Sequence, residues 1–537
     1  MRLRKVLGLL ALAVLACPSV ALAQGTGIIR GRITDAASGA PLAAVQLSIQ
    51  GTQHGTQTGS DGNYTMSGVP AGPQTLVARR VGYTLQRIPV TIGAGVANVQ
   101  NVQLTVVPTT LNEVVVTALG TTMEKRSLGT AQQSVKGAAI AETQRENFVN
   151  ALQGRVAGVQ VVTSSGVPGA SSSITIRGIS SISGSNQPLM IIDGLPMDNK
   201  TLNTGVLASD APGSTTAFSN RGVDFTNRAA DLNPEDIESL VVLKGPEASA
   251  LYGIDAANGA IVITTKRGKA GSGGLEYSNS FRIESTRARP EIQRVYGPQA
   301  GLGSTTFLYY GDPYPAGTVF YDNIDGFFQT ALTQKHNLAF SGAAPDGKIN
   351  YRVSTSVTNQ QGVVPHDKYD RVNVTGASQA QVTRWLNADL SMGYTYANNH
   401  QSFKGEGGPL IGLLVWPQTD PAKDYLTPAG QRRRLTTLAQ SAEVDNPYFN
   451  VNKNQVTSKN NRIIANLGLK LTPFSWGNLK TNIGTDSYTN QNLILRHPES
   501  TYGFSNNGII DTADDITRNL SAQTLLNINP HFLTKSI

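Results

Sequence analysis

The sequence predicts a mainly β chain in three parts: an N-terminal β-sandwich, a compact α+β unit, and an antiparallel sheet forming part of a transmembrane β-barrel. Three observations carry this. Charged residues are only 15% of 537 positions, against 55 glycines, a polar β composition unlike that of a helical enzyme. Through the first hundred positions, strand-length segments recur about every ten residues, the rhythm of a sandwich. After Leu275, long segments alternate apolar with polar residues at a period of two.

The chain opens with the pattern of a secretory signal peptide over 1–23. Arg2, Arg4 and Lys5 charge its start, Val6 to Ala16 is an apolar run too short to span a bilayer, and Ala21-Leu22-Ala23 offers a cleavage site. Leu15-Ala16-Cys17 is a partial lipoprotein signal, but Pro18 follows it and the Ala-x-Ala site is better placed. Cys17 is the one cysteine, so the mature chain has neither disulfides nor cysteine-ligated metals. No later apolar run is long enough for a transmembrane helix, so any membrane span must be made of strands.

Residues 27–106 read as the sandwich, with turns at Gly39-Ala40-Pro41, Asp61-Gly62 and Pro70-Ala71-Gly72-Pro73. Gly31-x-Ile33-x-Asp35, then Gly39-x-Pro41-Leu42 and Ser60-Asp61-Gly62-x-Tyr64, resemble the carboxypeptidase-regulatory, transthyretin-like domain, a non-catalytic accessory. A linker follows at 111–120. It holds an acidic Glu113 and the β-prone run Val114-Val115-Val116-Thr117-Ala118, an unpaired sticky strand that proteins ordinarily remove. Keeping one suggests a partner that pairs with it.

Residues 121–270 read as the α+β unit. QRENFVNALQGRVAGVQVV predicts a helix leading into a strand, and SSSITIRGIS and QPLMIIDGLP are short strands closed by glycines. Asn233 and Pro234 are helix-start residues. From 275 to 537 the alternation predicts about eight strands, near 275–285, 335–342, 348–358, 370–381, 385–397, 462–472, 478–488 and 518–529. Ile349, Tyr351, Val353 and Val357 share one face, while Asn350, Arg352, Ser354 and Ser356 share the other. A soluble antiparallel sheet gives the same alternation. Connection lengths distinguish the two: short turns on one side and long loops on the other, the longest near 398–461, are the habit of outer-membrane barrels.

Enzyme signatures are missing: no H-E-x-x-H, C-x-x-C or G-x-S-x-G occurs, and the six histidines have no ligand spacing. No catalytic residue, metal site or cofactor is therefore expected. Gly342 to Lys348 matches the phosphate-loop spacing, but Ile349 replaces the required Ser or Thr and Pro345-Asp346-Gly347 is a turn sequence. The net charge of +8 is dispersed, which argues against nucleic-acid binding; Lys266-Arg267-Gly268-Lys269 and Arg432-Arg433-Arg434 read as solvated loops.

Arg177-Gly178, QPLMIIDGLP and DIESLVVLKGPEASALYGIDAANGAIVITTKRG resemble the plug of TonB-dependent outer-membrane transporters. The order of signal, accessory sandwich, LNEVVVTALG and plug resembles the SusC/RagA-type subfamily. Lys244-Gly245-Pro246-Glu247 departs from that subfamily's usual Lys-Asp-Ala-Ser and is closer to the wider family. The resemblance implies that Glu113, Val114, Val115, Val116, Thr117 and Ala118 are a TonB box. It singles out Arg177, Gly178, Asp193, Gly194, Glu238, Lys244, Gly245, Tyr252, Gly253, Asn258 and Gly259 as plug-motif residues, structural or gating. The glycines suit turns of positive φ, and Arg177, Asp193, Glu238 and Lys244 suit ion pairs within the plug or to the barrel wall.

The function so implied is energised import of an oligosaccharide or peptide across the outer membrane. Its partners would be outer-membrane lipid, TonB with the inner-membrane ExbB/ExbD complex, and a SusD-like surface lipoprotein. The alternative is a surface β-protein that acts as an adhesin or ligand-binding receptor without transport. Barrels that hold a plug use about 22 strands, so eight are expected to be an N-terminal portion or truncated product.

Overall fold

The structure of the chain is a computed structural model. It describes residues 25–106, 114–116, 122–124, 132–182, 184–201, 222–268, 273–287, 289–299, 309–435, 443–474, 476–501, 503 and 507–528. The expected signal peptide lies outside these, as do Glu113, Thr117 and Ala118. The chain forms two compact units, 1–113 and 114–537.

The first unit is a two-sheet β fold. Thr26–Asp35 pairs antiparallel with Asn63–Pro70 and parallel with Ala97–Val99 and Val102–Leu104. The second sheet runs Gly55–Gln57, Gln46–Ile49, Gly72–Arg79, Gln86–Ile92. Alternate side chains from both sheets, among them Ile29, Ile33, Leu47, Ile49, Met66 and Leu76, close one apolar core. Gly62 forms the turn at φ 77°, and a Cβ there would lie 2.6 Å from the Ile33 carbonyl oxygen, so only glycine fits.

In the second unit, an α+β body is built on a five-stranded sheet in the order Gln132–Lys136, Ile237–Leu243, Ala260–Thr265, Leu189–Ile192, Leu195–Met197. A separate hairpin joins Val159–Thr163 to Ser172–Ile176. Phe148, Leu152, Ile174, Met190, Leu240, Ile261 and Ile263 pack between them. The helix expected before Val159 shrinks to one 3-10 stretch, Phe148–Leu152. Gly154 and Gly158 follow at φ 73° and 72°, a conformation no α-helix contains.

Around this body stands a wall of eight antiparallel strands, each paired with its sequence neighbour: Gly274–Glu284, Ala331–Ala343, Ile349–Gln361, Lys368–Gln381, Leu386–Gln401, Gln455–Phe474, Gly477–Arg496 and Ile509–Ile528. The strands are longer than the alternation indicated: 462–472 and 478–488 extend to Gln455–Phe474 and Gly477–Arg496. Along 457–461 both faces are polar, so hydropathy contrast vanishes while the backbone ladder continues. Connections 344–348, 382–385 and 475–476 lie on one side of the wall; 285–330, 362–367, 402–454 and 497–508 lie on the other. The Pro345-Asp346-Gly347 stretch is a turn, with Gly347 at φ 69° and Lys348 N donating to Asp346 Oδ1 at 3.1 Å.

The wall is inverted relative to a soluble sheet. In Ile349–Gln361 the apolar residues are outside, with Ile349 49% and Val353 51% exposed. The polar ones are inside: Ser354 is 2%, Ser356 1% and Thr358 0% exposed. Leu390, Met392, Ile463, Leu467 and Ile483 continue the outward apolar band. Phe474 and Trp476 stack at 5.1 Å on the short-turn side, the aromatic fringe of a membrane barrel. Such a face is stable only against lipid.

This inversion makes a paired prediction. Leu467→Arg, within the apolar band, should cost about 2–4 kcal/mol near the bilayer midplane. Lys459→Glu, on the same outward face of the same strand but beyond the band, should change little. Heat-modifiable migration of membrane-inserted protein checks both; equal behaviour would contradict the orientation.

Candidate functional site

The polar inner face of the wall meets the α+β body along 222–236. Two 3-10 turns organise this stretch: Arg228–Asp231 and Pro234–Asp236. Asn233 starts the second by accepting from Glu235 N, and Pro234 sits where its missing N–H costs nothing. Turns this short leave their carbonyls without partners inside the helix. The wall supplies the donors. Arg371 Nη1 bonds the carbonyls of Ala230 and Glu146, the latter at 2.9 Å. Asn373 Nδ2 and Thr395 Oγ1 donate to the Asp231 carbonyl at 2.6 and 3.1 Å.

Arg462 is the centre of the contact. It is fully buried, its Nε and Nη2 grip Asp486 at 2.8 and 2.7 Å, and its Nη1 reaches Asp231 at 3.1 Å. It also donates to the carbonyls of Arg228 at 2.9 Å and Asp198 at 2.8 Å. Arg228, buried too, returns the contact from the body: its Nη1 donates to Asn490 of the wall at 2.8 Å. Both guanidinium groups lie against the Tyr488 ring. Two and three strands along the wall from Arg462, Asp236 accepts from Thr375 Oγ1 at 3.0 Å and from Ser354 Oγ at 2.6 Å, with Arg352 at 3.4 Å. Removed from water, these charges are stable only because each has partners on the opposing surface.

Comparisons place this architecture. Residues 124–260 match the model of the TonB-dependent Receptor Plug Domain, and residues 29–116 that of the CarboxypepD_reg-like domain. TonB-dependent receptor SusC of Bacteroides thetaiotaomicron is 31% identical over 401 residues, 73% of this chain and 36% of its own length. The chain belongs to the SusC/RagA-type TonB-dependent receptors. TonB-dependent receptor P39 of Formosa agariphila is 27% identical over 500 residues, 91% of this chain and 42% of its own length. The solved RagAB peptide importer in its open-open state shares the fold at TM-score 0.55 and 21% identity, over 77% of this chain and 46% of that one. The chain thus spans less than half the length of these relatives.

The α+β body is accordingly the plug, and its motif residues divide by position. Asp193 and Gly194, at φ 48° and 92°, form the two-residue hairpin turn between Leu189–Ile192 and Leu195–Met197. The Asp193 carboxylate accepts from Thr265 N and Oγ1 at 3.0 and 2.7 Å, and its carbonyl accepts from Asn466 of the wall at 2.8 Å. Gly178, Gly245, Gly253 and Gly259 all have positive φ, and Gly245 and Gly253 bracket the helix Pro246–Tyr252. Asn258 ties down the 180–185 loop through Ser180 Oγ at 2.6 Å and the Ser185 carbonyl at 2.7 Å. Tyr252 packs against the plug's smaller apolar cluster.

Lys244 Nζ bonds Gln133 at 3.1 Å, and Arg177 stands exposed beside Gly245. Glu238 is half-buried in Ile237–Leu243. Plug charges that meet the wall include Glu146, Asp198, Arg228, Asp231, Glu235, Asp236 and Arg267, the last paired with Asp389. An available signal was overlooked: Arg352 and Arg462 interrupt the polar faces of strands already recognised as alternating. Nor are Arg432, Arg433 and Arg434 a solvated run. They pair with Glu443, Asp420 and Glu443 respectively, and Arg432 is buried. Among the described residues no group of three or more His, Cys, Asp or Glu is arranged to hold a metal.

Of the TonB-box expectation, Val114–Val116 is described as a strand. It pairs antiparallel with Thr122–Glu124, so the linker contains a small hairpin.

At the long-loop side, burial pushes Asp367 up to about 6, although its carboxylate accepts from Ser402 N at 2.6 Å and Lys404 and His366 stand near. A carboxyl raised in the folded state binds its proton before the unfolded chain does, so its penalty is present above the folded value and fades as pH falls toward about 4. Asp367→Asn should therefore be more stable than the parent at pH 7.5, by up to about 3 kcal/mol. The gap should shrink to about 1 kcal/mol at pH 4.5 and close below about pH 4, measured as the difference in unfolding midpoints. At the centre, Arg462→Met should cost about 3–5 kcal/mol by stranding Asp486 and Asp231. Protease should then cut the plug at lower urea, and Arg462→Lys should recover little because the bidentate grip is lost.

Proposed function

We propose that the receptor built from these parts imports a bulky nutrient, an oligosaccharide or a peptide, across the outer membrane, energised through TonB. One observation carries the reading. Plug and wall meet chiefly through hydrogen bonds and ion pairs, around Arg462 and Asp236; the large apolar core belongs to the plug, and apolar side chains meet the wall at Ile464 and where Val223 and Phe225 touch Val456 and Ile494. A polar seat can be exchanged for water when it opens, at a smaller net cost than exposing an apolar core of equal area. It suits a domain that must leave and return.

Force would enter at the 113–118 segment. An extended segment that adds to a partner's sheet edge gains main-chain hydrogen bonds along its length and shares a pulling load among them. TonB, with ExbB/ExbD behind it, is the partner this chemistry suits, and a SusD-like lipoprotein would close over the loops at 285–330 and 402–454. The structural neighbour named RagAB peptide importer supports peptide cargo.

Val115→Pro in the full-length receptor removes one main-chain donor from the pairing strand. Uptake should fall to the level of a TonB-deficient strain, while outer-membrane assembly and heat-modifiable migration stay as in the parent. Unchanged uptake would refute energised import through this segment and favour a surface receptor or adhesin.

A further inference from the structure

The longest loop, 402–454, is fastened at its root to the plug. Lys404 N donates to the Gly222 carbonyl at 2.8 Å, and Lys404 Nζ reaches Asp224 Oδ2 at 3.1 Å. Between them Phe403 is buried with Val223 and Phe225 of the plug and Val456 and Ile494 of the wall. Arg496 covers the Phe403 ring at 4.3 Å. On the plug side Asp224 also accepts from Ser171 N at 3.0 Å, Ser171 Oγ at 2.5 Å, and Ser164 Oγ. Burial pushes the Asp224 carboxyl up, and the Ser164 and Ser171 bonds with the Lys404 charge outweigh it, keeping it below the usual carboxylate range. The approach is close: a Cβ on Gly222 would lie 2.4 Å from the Lys404 carbonyl oxygen.

The same plug segment continues without a break into the seat. Thr226 Oγ1 donates to the Gly169 carbonyl at 2.6 Å and accepts from Asn399 of the wall at 2.9 Å. Arg228 and Asp231 follow, in contact with Arg462. Only a few residues separate the loop root from the buried charges, and nearly every polar group between is bonded.

We propose that Gly222–Asp231 is a strap joining the root of loop 402–454 to the ionic seat of the plug, so that displacing the loop loosens the seat and unseating the plug draws on the loop. Coupling of this kind is reciprocal, because both ends bias one element. The proposal deepens the import reading and rests on it for its purpose.

Hydrogen exchange on the full-length receptor in detergent, without cargo or TonB, tests it. Two variants act on the loop end alone: Lys404→Met, which removes the charge, and Gly222→Ala, which forces the backbones apart. Both should speed exchange of the Ala230 and Leu232 amides, at the seat, by about tenfold, with Val241–Leu243 in the plug sheet unchanged; tenfold corresponds to about 1.4 kcal/mol of coupling. Lys404→Arg should restore the parent rate, and heat-modifiable migration identifies any variant that fails to fold. Faster exchange confined to 222–226 would overturn the strap and leave import standing, since no transport is measured. Loss of the Val115→Pro effect on uptake would overturn import and leave these exchange rates as they are.

Discussion

Lipid on one side of a sheet decides which side chains the other side must hold. The outer face of this wall is apolar along its lipid band because hydrocarbon offers no hydrogen bonds, so most polar residues along that band are turned inward. Ser354, Asn373 and Arg462 are therefore buried by the direction of a strand and not by hydrophobicity. Buried donors need acceptors, and a barrel interior filled by a second domain must obtain them from that domain. The plug meets the demand with the carbonyls of the Arg228–Asp231 turn and with the carboxylates of Asp231 and Asp236.

The arrangement separates two kinds of fastening. Within the plug, Phe148, Leu240, Ile261 and their neighbours form an apolar core that holds the domain together. Between plug and wall, directional bonds fix one orientation. The first is costly to open because exposed apolar surface has nowhere to go; the second can exchange partners with water. A domain that keeps its own core while its seat opens is the physical requirement of a removable plug.

Much of this was legible in the sequence, and the failures have physical causes. Period-two alternation located all eight strands, because lipid and lumen enforce it along the membrane band. It missed extensions such as 457–461, where polar residues occupy both faces and the contrast disappears. The glycines of the plug announced their turns through composition. The charges at the wall contact were not singled out by composition, since Arg177 and Lys244 are as charged as Arg228 and Asp231, and only the register of distant strands brings Arg228 and Asp231 to Arg462. The triple arginine at 432–434 looked solvated for the same reason: Glu443, Asp420 and Glu499 come to it through loop folding.

By itself the sequence determined the division into sandwich, plug and wall, the strand order, and which face of each strand is apolar, because these follow from local periodicity and turn chemistry. The tertiary structure alone decided where the plug sits against the wall, that Arg462 reaches Asp231 across more than two hundred positions of sequence, and that the root of the longest loop is tied to the plug at Gly222 and Asp224. Those contacts join residues far apart in the chain, and no local pattern encodes which of many equivalent charges and carbonyls will be brought within a hydrogen bond of one another.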